Sequence, residues 1–107
     1  MSSPEKPLVP ELLLALRTVI DPELGINVVD LGLIRAAERD GARAKIEMTM
    51  TTPACPMGPY LTEEVETALT TLAPGIREAE VTLSFEPPWS PAQMSPEGRR
   101  ALGVDEP

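Results

Sequence analysis

Apolar residues recur with helical spacing in two segments of the chain. After Pro10, which suits the first turn of a helix, apolar residues repeat every three or four positions and predict a first helix over 10–20. This helix must end by Asp21, because Pro22 disfavours helical geometry at the residue before it. A longer apolar stripe predicts a second helix over 59–72. The stripe consists of Leu61, Val65, Ala68, Leu69 and Leu72.

Three further segments alternate between apolar and polar residues, as half-buried strands do. Residues 33–39 and 42–51 flank Asp40-Gly41, a dipeptide that favours a two-residue hairpin turn with positive φ at both turn positions. Residues 78–86 form the third strand, and the helix before it makes the second and third strands parallel. We therefore predict an α/β (α+β) fold, α-β-β-α-β, with a small mixed three-stranded sheet. The helices pack on its apolar face, and the charged face meets water or a partner.

A length of 107 residues corresponds to one domain. We expect flexible ends over 1–9 and 104–107 and a single domain over 10–103. Within the C-terminal part of that domain, a short helix is predicted near 96–102, and Trp89 is expected to clamp over the core.

The charge balance narrows the range of partners. Lys and Arg number 9 and Asp and Glu number 17, which gives a net charge of −8. Nucleic acid and anionic membrane surfaces attract clustered Lys and Arg, so neither is an expected partner. No apolar run reaches the ~20 residues of a membrane helix, and the first residues lack the basic-then-apolar pattern of a secretory signal. The expected location is the cytoplasm.

Candidate chemistry centres on one thiol, because the chain has a single cysteine, Cys55, and no histidine. This composition excludes Ser-His-Asp and Cys-His catalysis, an internal disulfide and a four-ligand structural zinc site. Cys55 lies where the second strand leads into the second helix, and the amides and dipole at a helix entrance stabilise a thiolate. The alternative is that Cys55 is a small buried hydrophobe without chemistry.

Three carboxylates are candidate partners of this thiol. Asp21 and Glu23 belong to a turn-forming segment, and Asp30 precedes the first strand. Turn chemistry alone explains their positions, since Asp opens turns readily. The alternative is that they are hard oxygen ligands or a polar wall around Cys55, where they would favour a metal-loaded thiolate over a free one.

Four segments together resemble the metal–sulfur (iron–sulfur) cluster assembly factor family, in its small one-domain bacterial form. They read DPELGINVVDLGLI (21–34), MTMTTPACP (48–56), FEPPW (85–89) and MSPEGRRALG (94–103). The resemblance extends over about residues 10–103. It implies an iron–sulfur cluster assembly domain and an accessory role in assembling or delivering clusters, with no enzymatic turnover.

The resemblance also implies a site. Cys55 is the functional thiol and metal ligand, and Asp21 and Glu23 are further candidates for binding the cofactor. Thr51 and Thr52, beside the thiol in the chain, join this set, although residues at the end of a strand need no function.

The ligand count predicts how a cluster would be held. An iron–sulfur cluster takes about four ligands, usually thiolates, and one chain supplies only Cys55. We therefore expect a transient cluster, shared with an external thiol or with the Cys55 of a second chain in a homodimer. The expected partners are iron–sulfur assembly proteins and apo-client proteins.

Three other functions compete with this interpretation. The same domain type occurs in accessory proteins of phenylacetyl-CoA ring-oxygenation systems, which typically carry an extra cysteine-bearing C-terminal segment that this sequence lacks. A second rival is an interaction adaptor with a non-ligating Cys55. A third is a Cys-nucleophile enzyme, which the missing histidine and the missing resolving cysteine count against.

Overall fold

The structure is a computed structural model, and it describes residues 8–51 and 58–103. The elements in chain order are α1 (Pro10–Leu16), β1 (Ile34–Asp40), β2 (Arg43–Met48), α2 (Gly58–Leu72), β3 (Glu78–Leu83), a single 3₁₀ turn (Pro91–Gln93) and α3 (Pro96–Leu102). The predicted flexible ends lie mostly outside the described residues.

The sheet has the predicted topology. Its strand order is β1-β2-β3, with β1 antiparallel to β2 and β2 parallel to β3. Ile46 of β2 lies between Ala37 on β1 and Val81 on β3, which fixes the register on both sides. A register shift between Ile34 and Ala36 interrupts the start of β1. The predicted mixed three-stranded α/β fold is thus confirmed.

The hairpin turn lies one residue later than predicted. Asp40 pairs with Arg43 and completes the β1–β2 ladder, so the turn residues are Gly41 and Ala42. Gly41 has a φ of 63°, and no non-glycine residue in the described ranges has a positive φ. Positive φ at the first turn position alone is the type II′ pattern, which needs glycine only there. The expectation of positive φ at both turn positions was therefore wrong.

The first helix is shorter than the predicted 10–20, because it ends at Leu16. The Thr18 hydroxyl donates to the carbonyl of Ala15 at 2.8 Å and helps to close the helix. Beyond it the chain pairs in extended form with the next segment: the Val28 N–H donates to the Val19 carbonyl at 3.0 Å, and Ile20 forms a bridge with Asn27. The β-branched side chains of Val19 and Ile20 are well suited to this extended backbone.

The second and third strands also end before their predicted limits of 51 and 86. Beyond Met48 the chain leaves the ladder, and the Thr49 N–H donates to the carbonyl of Leu33 at 2.8 Å. Beyond Leu83, the Ser84 N–H still donates to the carbonyl of Met48 at 2.8 Å, so one further contact extends the parallel pairing.

The core lies between one face of the sheet and the helices, as the alternation predicts. Among its buried members are Leu12, Leu16, Ala37, Ala44, Ile46, Met48, Leu61, Val65 and Leu69. Leu72, the last residue of the predicted stripe, is instead 52% exposed at the end of α2. None of the helices in the described part of the chain has the length and apolarity needed to cross a bilayer.

Candidate functional site

The predicted thiol lies in the connection between β2 and α2. β2 ends at Met48, the chain stays buried through Thr49 and Met50, and Thr51 is half-buried. The next described residue is Gly58, which is buried and begins the 15-residue helix α2. Cys55 and Thr52 lie outside the described residues, so the roles assigned to them stay predictions.

Asp21 organises the turn that follows α1. It is 2% exposed, and its Oδ1 accepts the backbone N–H groups of Glu23 at 2.8 Å and Leu24 at 3.2 Å. Its carbonyl accepts the N–H of Gly25 at 2.7 Å, and a φ of 72° at Gly25 turns the chain back. These contacts are those of turn chemistry. The Glu23 side chain is exposed, and its role as a ligand stays a prediction.

Asp30 connects three separate segments of the chain. Its Oδ1 accepts from the Arg17 guanidinium at 3.0 Å and from the Ser95 hydroxyl at 2.8 Å, while Oδ2 accepts from the Asn27 amide at 2.8 Å. The Asp30 side chain is only 14% exposed. Burial by itself raises the pKa of the Asp30 carboxyl, but the bonds from Asn27, Ser95 and Arg17 and the charge of Arg17 outweigh burial, so the pKa lies below its usual value.

Backbone contacts reinforce this connection between the 27–33 loop and the C-terminal segment. The Ser95 N–H donates to the Asp30 carbonyl at 2.8 Å, and the Trp89 indole N–H donates to the Leu31 carbonyl at 2.7 Å. Gly32 has a φ of 77°, and a Cβ there would lie 2.2 Å from the carbonyl oxygen of Gln93. This close approach of two backbones leaves no room for a side chain at Gly32. Trp89 packs against the core, as predicted.

Sequence reasoning missed the tie between β1 and the segment after β3. The Arg35 guanidinium donates to the carbonyl of Ser84 at 3.3 Å and also to that of Pro87. The partners are about 50 positions away in the chain, so no local pattern marks them. For Ser95, by contrast, a signal was present: a serine before a proline at the start of a short helix is typical of an N-cap, and its hydroxyl accepts the N–H of Gly98 at 3.0 Å.

The carboxylates that the structure describes do not assemble into a cation site of their own. Within residues 8–51 and 58–103, no group of three or more Asp, Glu, Cys or His side chains is arranged to hold a metal ion. Asp21 and Asp30 are instead engaged by backbone N–H groups and by side-chain donors, respectively. Asp21 and Asp30 thus hold the loops around the core. The role of Cys55 as the soft donor of the chain stays a prediction.

Comparison with known proteins places this architecture in a family. The family described as "iron-sulfur cluster assembly protein" matches residues 10–83. A solved domain of unknown function from Bacillus anthracis superposes with a TM-score of 0.84 at 40% identity, covering 90% of this chain and 92% of that one. The chain is a member of the iron–sulfur cluster assembly protein family.

Two curated relatives resemble the chain over almost their whole length. One is the Fe-S protein maturation auxiliary factor SufT of Staphylococcus aureus, 42% identical over 80% of this chain and 98% of the relative. The other is the Fe-S protein maturation auxiliary factor YitW of Bacillus subtilis, 38% identical over 94% of this chain and 98% of the relative. The family resemblance drawn from the four sequence segments is therefore confirmed.

Proposed function

We propose that this protein is an accessory factor in the assembly or delivery of iron–sulfur clusters. The observation that carries the proposal is the match to two relatives named Fe-S protein maturation auxiliary factors, which spans 98% of each of them. The chain thus matches two proteins of that name over nearly their whole length. Its partners are iron–sulfur assembly proteins and apo-client proteins.

Cys55 is the group that binds or hands on the cluster. It is the only cysteine in a chain without histidine, so no other side chain combines strong affinity for iron with compatibility with sulfide. Two of the candidate carboxylates, Asp21 and Asp30, are already occupied in holding loops. Thr51, Thr52 and Glu23 are further candidates near the cluster.

The cluster is cargo, and the protein turns over no substrate. One thiolate leaves a cluster short of the about four ligands it needs, so the remaining ligands come from a second chain, an external thiol or the client. Such incomplete ligation favours transfer, because a client with more cysteines binds the cluster more strongly. When two chains share the cluster, its binding stabilises the dimer.

The test is anaerobic reconstitution with iron, sulfide and glutathione, comparing the wild type with Cys55→Ser and Cys55→Ala. We expect visible absorption with bound iron and sulfide in the wild type, and loss of both in the variants. Met57→Leu is the matched control, since it removes a neighbouring sulfur in the sequence and should retain the cluster. Far-UV circular dichroism checks that every variant is folded. Full iron and sulfide binding in both Cys55 variants would contradict the proposal.

Transfer and assembly are measured on the same samples. Light scattering after size exclusion should show a reconstituted dimer, or a monomer whose cluster depends on glutathione. Mixing with an apo-ferredoxin should move the cluster to the ferredoxin. A cluster held by a strict monomer without glutathione, and not transferred, would show that the ligand count is wrong.

A further inference from the structure

The outer edge of β3 is unpaired among the residues that the structure describes. The Glu78 N–H donates to Ala42 at 3.3 Å and the Ser84 N–H donates to Met48 at 2.8 Å. In a parallel strand, the N–H and carbonyl groups of one residue point to the same neighbouring strand, and those of the next residue point the opposite way. The backbone groups of the residues between Glu78 and Ser84 therefore alternate between β2 and the outer edge. Ala79, Val81 and Leu83 therefore direct their N–H and carbonyl groups away from β2, and within the described residues β3 pairs with β2 alone.

The opposite edge of the sheet is different, because the chain itself covers part of it. Leu8 forms a parallel bridge with Ala37 of β1, and the Val9 N–H donates to the Ala37 carbonyl at 2.9 Å. An exposed strand edge promotes pairing with other chains, and proteins that do not use such an edge usually cover or blunt it. β3 lacks such a cover among the described elements.

The open face of the sheet next to this edge has a regular charge pattern. Cross-strand neighbours form three rows, each with one residue from β1, β2 and β3. The rows are Asp40–Arg43–Glu78, Glu38–Lys45–Glu80 and Ala36–Glu47–Thr82. The first two rows each sum to a net charge of −1 from these side chains. Arg43 already contacts Glu78 at 3.1 Å and Glu80 at 3.8 Å, yet the two glutamates remain 61% and 59% exposed.

We propose that the β3 edge binds an extended segment of a partner protein as a fourth strand, and that this segment carries Lys or Arg at alternate positions. Its backbone would pair with Ala79, Val81 and Leu83, which is the strand-addition mode of peptide recognition. Its basic side chains would lie beside Glu78 and Glu80 and neutralise the two rows to which these glutamates belong. The proposal deepens the proposed function by giving it a partner-recognition surface, and the binding step itself does not depend on Cys55.

A second copy of this chain fits the edge less well. In a symmetric dimer, the β3 strands of two copies would pair with each other in antiparallel fashion. In every register that pairs most of the strand, Glu80 of one copy lies directly opposite or diagonally across from Glu80 of the other. Like charges in these positions repel one another, whereas Lys or Arg would be attracted. The charge pattern therefore favours a basic segment of a different protein.

The probe is a blocked nine-residue peptide in which Lys alternates with Thr, titrated into the full ¹⁵N-labelled chain at low ionic strength. We expect the amide signals of Ala79, Val81 and Leu83 to shift and their hydrogen exchange to slow. A peptide with Glu in place of Lys, and one with all Lys residues in one block, should bind much more weakly. Shifts confined to α2, or equal binding of all three peptides, would overturn the proposal.

Variants then separate the contribution of side-chain charge to peptide binding from that of backbone pairing. Glu78→Gln with Glu80→Gln should weaken binding about fivefold, which corresponds to about 0.5 kcal/mol for each of two cross-strand pairs. The matched control is Glu63→Gln with Glu66→Gln, which removes the same charge from exposed positions on α2 and should leave the affinity nearly unchanged. Equal weakening in both doubles would show a general charge effect and contradict the site.

Val81→Pro removes an N–H that makes no bond to β2, and it should abolish peptide binding in a folded protein. Hydrogen exchange in the wild type also shows whether the outward N–H groups of β3 bond to the peptide, and it does not require this variant to fold. Edge amides that are already protected without peptide, together with dimers that form as concentration rises, would assign the edge to a second copy instead. Cys55→Ser should bind the peptide like the wild type, so failure here and failure of cluster binding are distinguishable.

Discussion

Asp21 and Asp30 are nearly buried carboxylates in the same connection between α1 and β1, but they stabilise different parts of the structure. Asp21 bonds to the N–H groups two and three residues later. Asp30 bonds to side chains that are 3, 13 and 65 positions away. One carboxylate therefore shapes a local turn, and the other holds α1, the 27–33 loop and α3 together. A buried acidic residue in a motif does not by itself indicate a ligand.

The largest expected difference in stability is between two single variants in which Asp is replaced by Asn, one at position 30 and one at position 21. Asp30→Asn should cost about 2 kcal/mol of unfolding free energy, because an amide nitrogen would face the Ser95 or Asn27 donors and the charge would be lost. The pair with Arg17 adds little, since Arg17 is 48% exposed. Asp21→Asn should cost less than about 0.5 kcal/mol, because an amide oxygen can accept the same backbone bonds. Urea unfolding monitored by Trp89 fluorescence measures both costs.

Equal costs at the two positions would remove the distinction between them. A large cost at Asp21 would show that its second carboxyl oxygen has a role that the turn does not require. A normal unfolding curve for Asp21→Asn together with loss of iron in reconstitution would identify Asp21 as a ligand.

Lowering the pH tests the contribution of the Asp30 carboxylate to the unfolding free energy. The folded-state pKa of Asp30 lies below its ordinary value of 3.8, so the carboxylate stabilises the fold above that pH. This contribution is lost as the pH falls through the folded-state pKa. The gap in unfolding free energy between the wild type and Asp30→Asn should therefore be full at pH 6 and smaller at pH 3. Other carboxylates titrate in both proteins and cancel in the difference. A gap that widens towards pH 3 would contradict the sign.

Local patterns predicted most of the fold. The alternation in β2 identified Ala44, Ile46 and Met48 as core residues, and all three are buried. The helical stripe of α2 placed Leu61 and Val65 correctly for the same reason, because one side of each element must be buried. The pattern failed at the end of α1, where Val19 and Ile20 keep helical spacing but pair with the 26–28 segment.

The site was less predictable, since its contacts join distant parts of the chain. The turn around Asp21 follows from the residues beside it. The contact between Asp30 and Ser95 spans 65 positions, and the ties made by Arg35 span about 50. A single sequence contains no local signal for such pairs. The family resemblance grouped these segments without specifying which atoms meet.

The smallest expected effect concerns two serines that each precede a short helical segment and are both followed by proline. The Ser95 hydroxyl accepts the Gly98 N–H at 3.0 Å and donates to Asp30 at 2.8 Å, whereas the Ser90 side chain makes no capping bond. Ser95→Ala should cost about 1 kcal/mol and should speed amide hydrogen exchange within α3. Ser90→Ala should change stability by less than about 0.5 kcal/mol. Combining Ser95→Ala with Asp30→Asn should cost less than the sum of the two, because Ser95→Ala removes the bond between these residues and Asp30→Asn removes it or deprives it of its charged acceptor. Additive costs would mean that Ser95 acts only as the cap of α3, and that the connection to α1 depends on Asn27 and Arg17 instead.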